Sequence, residues 1–167
     1  MKESIAELLY LKTPIGGLVL EITEQGLGAI SFSNSSCDTN AYPQTRLARL
    51  AYNQLMRYFD KPHSQFTIPI ALSDQTSFRK RVWKTLSNIK MGSTATYKQI
   101  AQKLNTHPRA IGGACAANPI PIIIPCHRVV AQSGALCGYT ASDGRQDLRI
   151  KAWLLNHENP GICEDKP

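Results

Sequence analysis

Pro119-Ile120-Pro121-Ile122-Ile123-Ile124-Pro125-Cys126-His127-Arg128-Val129-Val130 holds the longest apolar stretch of this 167-residue chain. From Ile120 to Pro125 it is far shorter than the ~18 to 20 residues of a membrane helix, so it reads as a buried strand inside a folded domain. The strand ends in a thiol behind a proline, with an imidazole and a guanidinium directly after. A thiol is a useful nucleophile only as thiolate, a form that a neighbouring His or Arg favours. In an extended chain Cys126 and His127 point to opposite faces and would meet only through a turn or a bridging water. Taken alone, a Cys at the end of an apolar run is more commonly inert core filling.

Moving outward, Arg109-Ala110-Ile111-Gly112-Gly113-Ala114-Cys115-Ala116-Ala117 reads as a helix opened by Pro108 and ended at Asn118-Pro119. Before it, Thr96 and Gln99 make a capping box ahead of Ile100, Ala101 and Leu104, and Asn105-Thr106-His107 make a turn. Two short helices across a three-residue turn predict a helix-turn-helix. The second helix carries almost no side chain able to reach base edges, so it should not read sequence. Its Gly and Ala permit either close packing in a core or a shallow approach along a DNA groove. Upstream, Phe78, Val82, Trp83, Leu86 and Ile89 form one amphipathic face that stops at Met91-Gly92. Downstream, Ile150, Trp153, Leu154 and His157 pattern a helix that ends at Glu158. A carboxylate there opposes the helix dipole, so another partner is expected for it.

The first half of the chain reads differently. Ile5 to Leu11, Leu18 to Thr23 and Leu27 to Phe32 alternate as strands of a β-meander, followed by a polar loop, Ser33 to Asn40. Leu47, Leu50, Ala51, Leu55, Tyr58 and Phe59 then recur at helical spacing until Asp60-Lys61-Pro62. Charge divides in the same place: residues 1–76 carry six Lys/Arg against seven Asp/Glu, and residues 77–167 carry thirteen against five. The overall net charge of +7 therefore belongs to the second half, which would attract a polyanion such as nucleic acid. We expect an α/β protein in two parts, an N-terminal scaffold over 1–74 and a functional part over 75–167. Five cysteines without a C-x-x-C pair suggest reduced thiols and no zinc site. With no secretory or membrane segment evident, a soluble, cytoplasmic protein is expected, associated with the nucleoid when on DNA.

Together, Asn118-Pro119-Ile120-Pro121-Ile122-Ile123-Ile124-Pro125-Cys126-His127-Arg128-Val129, Arg109-Ala110-Ile111-Gly112-Gly113, Ser77-Phe78 with Val82-Trp83, Tyr97, and Trp153 to Glu158 resemble the O6-alkylguanine-DNA alkyltransferase family. The likeness runs through nearly all of residues 75–158 and more loosely through Thr13-Pro14-Ile15-Gly16 and Gly26-Leu27. It implies an N-terminal RNase H-like sheet-and-helix domain and a C-terminal, mostly helical domain with a helix-turn-helix. It also implies single-use repair, in which Cys126 takes the alkyl group from O6-alkylguanine, less readily from O4-alkylthymine, in flipped-out nucleotides of double-stranded DNA. A thioether has no carbonyl for water to attack, so the thiol is not regenerated.

By the same resemblance, His127 takes the Cys126 proton through a water, Glu158 orients the imidazole, and Asn118 braces the turn that presents the thiol. Tyr97 crowds the target phosphate and protonates the departing guanine, Arg109 fills the vacated space in the duplex, and Val129 with Thr140 lines the base pocket. No metal, cofactor or obligate protein partner is implied. The chain departs from the family pattern at Cys137 and Ala141, where Gly is frequent, and in about five extra residues within 140–147. These changes are expected to alter tolerance for bulky alkyl groups. Two alternatives stay open: a lesion-binding relative that does not repair, although such proteins lack the acceptor thiol, and a Cys-His hydrolase or acyltransferase that would turn over.

Overall fold

The computed structural model describes residues 4–33, 42–137 and 145–162. The chain separates into two compact units, Met1–Gln75 and Thr76–Pro167. The polar loop over 34–40, Thr140 and most of the longer 140–147 segment lie outside the described residues.

In the first unit, β1 (Ile5–Thr13), β2 (Gly16–Thr23) and β3 (Leu27–Ser33) form an antiparallel meander in the order β1-β2-β3. Alternation sends Leu9, Leu11, Leu18, Leu20 and Ile22 to one buried face, as a period of two requires. Helix α1 (Arg46–Asp60) covers it with Ala48, Ala51, Leu55 and Tyr58. Its start is held by the Thr45 side chain, which accepts from the Ala48 N–H, and by Glu7, which accepts from the Gln44 and Thr45 N–H groups at 2.8 and 2.9 Å. Gly26 is required by crowding, because a Cβ there would collide with the Pro69 carbonyl as residues 69–71 run beside β3.

The second unit contains α2 (Ser77–Leu86), β4 (Ala95–Thr96), α3 (Tyr97–Lys103), α4 (Pro108–Ala116), β5 (Val129–Val130) and α5 (Arg145–Glu158). The capping box at Thr96 and Gln99 is present, Pro108 opens α4, and α3 packs on α4 across Leu104–His107. Trp83 is buried on α2 and donates its indole N–H to the Ala114 carbonyl at 2.9 Å, which ties α2 to α4. Helix α2 stops at Leu86 rather than running to Ile89, and the Ser87 hydroxyl caps the Trp83 carbonyl. Ala117 is the C-cap of α4.

The apolar run is not a strand. Ile124 N–H closes a turn onto the Ile120 carbonyl at 2.9 Å, Ile122 sits at φ 76°, and Cys126–Arg128 form a single 3-10 turn. The prolines at 119, 121 and 125 have no N–H to give to a ladder, so the segment folds on itself. Two-residue β5 follows directly and pairs in parallel with β4, Ala95 beside Val129 and Thr96 beside Val130.

Candidate active site

Cys126 stands at the start of the 3-10 turn with 1% of its surface exposed. Asn118, just past the end of α4, reaches three groups of the segment that follows it. Its amide NH2 donates to the Ile124 carbonyl at 2.9 Å and to Cys126 Sγ at 3.0 Å, while its Oδ1 accepts from the Ile120 N–H at 3.0 Å. The side chain thus spans the whole run before the thiol and touches the sulfur. Ile122 in the left-handed region is costly for a β-branched residue, of order 1–3 kcal/mol, and persists because its side chain is buried and the turn is pinned on both sides.

Burial pushes the Cys126 thiol up to about 11, against hydrogen bonding from Asn118 and the charge of Lys151, which favour the thiolate. At neutral pH the thiolate fraction is then only about 10⁻⁴, so the group needs a base to react. The next residue of the 3-10 turn carries an imidazole. His127 is fully buried, and its Nε2 lies 2.8 Å from Glu158 Oε1. Burial also lowers the His127 pKa, outweighing the pull of Glu158, so the ring is neutral near pH 7. A neutral ring that donates Nε2–H to a carboxylate presents Nδ1 as its acceptor.

Glu158, the last residue of α5, is gripped further. Arg128 donates Nε–H to Oε2 at 2.8 Å and Nη2–H to Oε1 at 2.9 Å, in the two-pronged manner of guanidinium on carboxylate, and its Nη1–H goes to the Ile89 carbonyl at 2.7 Å. The Gly92 N–H adds a contact at 3.3 Å. Burial alone would raise the Glu158 pKa, but the hydrogen bonds from His127 and Arg128 hold it well below the usual carboxylate range. Arg128 is therefore the counter-ion of Glu158, and the reading that it favours the thiolate directly gives way to this pairing.

Tyr97 begins α3, and the β4–β5 pairing brings it to the Cys126–Val130 segment. Its hydroxyl donates to the Cys137 carbonyl at 3.2 Å, and burial keeps the phenol protonated far above its ordinary pKa. Lys151 of α5 is fully buried and donates to the Val129 carbonyl at 2.6 Å and the Cys137 carbonyl at 2.9 Å. Cys126, His127, Glu158, Asn118, Tyr97 and Val129 thus belong to one connected cluster. Arg109 does not: it is exposed near the start of α4. Sequence reading had no role for Lys151, although it shares the apolar stripe of α5 with Leu154, Leu155 and Glu158, where a charge is out of pattern. Among the described residues no group of three or more His, Cys, Asp or Glu is placed to hold a metal.

The exposed surface of α4 settles part of an open choice. Among the described residues a Cβ at Gly112 or Gly113 would meet nothing within 4 Å, so close packing against them is not what requires glycine at these two positions.

The family described as 6-O-methylguanine DNA methyltransferase, DNA binding domain, matches residues 77–160. A methylated-DNA–protein-cysteine methyltransferase of Homo sapiens is 36% identical over 89% of this chain and 78% of its own length. One from Methanosarcina barkeri is also 36% identical, covering 91% and 96%. The crystal structure of Mycobacterium tuberculosis OGT in complex with DNA superposes with a TM-score of 0.75 at 34% identity, over 89% of this chain and 90% of that one.

Proposed function

The chain belongs to the 6-O-methylguanine DNA methyltransferase family and is a methylated-DNA–protein-cysteine methyltransferase, and within that activity we propose a direct, single-use repair centred on Cys126. The observation that carries this reading is the buried chain of contacts from Asn118 to Cys126 on one side and from His127 through Glu158 to Arg128 on the other.

In the proposed reaction, neutral His127 takes the Cys126 proton at Nδ1 through a bridging water. The sulfur attacks the alkyl carbon on O6 of guanine, or more slowly on O4 of thymine, forming an S–C bond as the C–O bond breaks. The electron pair leaves with the base, which is neutralised by a proton from the Tyr97 hydroxyl, and the phenolate recovers a proton from the His127 imidazolium through water, so no net charge remains. Glu158 stabilises the imidazolium, and Arg128 keeps Glu158 ionised. The carbon remains on sulfur as a thioether, so each molecule acts once.

The substrate oxygen lies within the base stack of a duplex, so the nucleotide must leave it. We assign α3 and α4 as a helix-turn-helix that approaches the duplex with the open Gly112–Gly113 surface, Arg109 as the group that occupies the vacated space, and Val129 with Thr140 as pocket lining. The 1–74 part, read as an RNase H-like scaffold, carries none of this chemistry. We propose a soluble protein that works in the cytoplasm and is associated with the nucleoid when on DNA. Titrating a fixed amount of protein with duplex bearing O6-methylguanine should repair a number of lesions that plateaus at one per molecule, whereas repeated turnover would overturn the reading. Cys126→Ala should bind the same duplex and repair none.

A further inference from the structure

The start of α4 departs from the other helix starts. Helices α1, α2 and α3 are capped by the hydroxyls of Thr45, Thr76 and Thr96, side chains of the preferred capping kind. A threonine, Thr106, also precedes α4, yet the cap is the residue after it, His107, whose Nδ1 accepts from the Arg109 N–H at 3.2 Å. Pro108, in the first helical position, has no N–H to satisfy. The next two N–H groups both end on His107, that of Arg109 on the ring and that of Ala110 on the carbonyl at 2.9 Å. The Ile111 N–H reaches the same carbonyl at 3.4 Å. One residue therefore holds the backbone of the whole first turn, and its ring is given to Arg109.

Arg109 lies three and four positions before Gly112 and Gly113, so it shares their face of the helix. That face is open among the described residues, while Ile111, Ala114 and Cys115 are buried on the other side. The turn ahead of His107 is itself fixed. Asn105 takes the left-handed conformation at φ 50°, and the Thr106 N–H donates to the Ala101 carbonyl of α3 at 2.9 Å. His107 thus joins a turn anchored on α3 to an exposed arginine on the open face of α4.

Resting on the reading of Arg109 as the group that fills the vacated space, we propose that His107 is a positioning residue of nucleotide flipping: its imidazole cap fixes the Arg109 backbone, so that the side chain enters the duplex from a preformed turn. A helix end that loses its cap frays, and a frayed turn has to be ordered again each time the arginine goes in. The fraction of molecules ready to hold a nucleotide out of the stack then falls, and repair slows by that factor. The chemistry at Cys126 does not pass through this turn, so a substrate that needs no flipping is unaffected.

The test compares native protein with His107→Ala, His107→Phe, His107→Asn, Arg109→Ala and the His107→Ala/Arg109→Ala double variant. Transfer to Cys126 is followed from an O6-methylguanine duplex and from free O6-benzylguanine, and thermal melting is recorded alongside. His107→Ala and His107→Phe, neither of which can accept a hydrogen bond, should repair the duplex about fivefold more slowly than native protein and react with the free base at close to the native rate. His107→Asn supplies a capping oxygen and should recover roughly half or more of the native duplex rate. The double variant should repair the duplex no more slowly than Arg109→Ala, because the cap acts through the arginine. Native duplex repair by His107→Ala beside a slowed Arg109→Ala, an equal loss on the free base, no recovery in His107→Asn, or losses that multiply in the double variant would each overturn the assignment. Should His107→Ala not melt cooperatively, His107→Phe, which keeps the ring without the acceptor, takes its place in the same comparison. Native duplex repair by Arg109→Ala would instead remove the reading of the arginine on which the inference rests.

Discussion

A thiol that sits near 11 in the resting protein makes a prediction independent of DNA. Peptide-resolved labelling of Cys126 by iodoacetamide should accelerate about tenfold per pH unit between roughly pH 7 and 9, because only the thiolate reacts. A plateau at neutral pH would mean that the thiolate is already formed and that His127 has no proton to take. The carboxylate behind His127 gives a second test. Glu158 is depressed in the folded state, so its stabilisation is complete above its ordinary value of 4.5 and is withdrawn as the pH falls below it. Glu158→Gln should flatten the loss of stability on that acid side. Arg128→Met leaves the buried Glu158 charge without its forked donor and should cost about 3–5 kcal/mol in denaturant unfolding, whereas a change within ~0.5 kcal/mol would contradict the assigned pairing.

Helix α4 carries two glycines that its packing against the described residues does not require. Among the described residues nothing occupies the space that a Cβ would take at Gly113, so Gly113→Ala should stabilise the free protein by about 0.5–1 kcal/mol through helix propensity. If the open surface meets DNA, Gly113→Leu should leave the melting behaviour near native and weaken duplex binding at least tenfold; unchanged binding would remove α4 from the interface. This element was legible in the sequence, since Pro108 at the first position, the capping box before α3 and the breaker at Pro119 are local signals. The run into Cys126 was not, because apolar composition implies burial without distinguishing a strand from a turn, and here three prolines and Ile122 at positive φ decide for the turn. Long-range partners were legible only through the family likeness. No periodicity announces that β4 pairs with β5, or that Glu158 meets two residues some thirty positions earlier; Lys151 left only the signal of a charge on the apolar stripe of α5.

At the scale of the whole molecule, charge and chemistry fall on the same side. Thirteen of the nineteen Lys and Arg lie in residues 77–167, the part that holds the Cys126 cluster, while the sheet and α1 form a nearly neutral unit. Duplex affinity should therefore fall linearly in log–log form with salt, with a slope of about −3 or steeper, corresponding to three or more neutralised phosphates. A slope near zero would place recognition in uncharged contacts. The central claim is narrower, that one sulfur leaves the reaction carrying the carbon that damaged the base. Protein incubated with duplex bearing isotopically labelled O6-methylguanine should, after digestion, show the methyl mass on the peptide containing Cys126 and on no other; a restored oligonucleotide beside an unmodified Cys126 peptide would contradict the account.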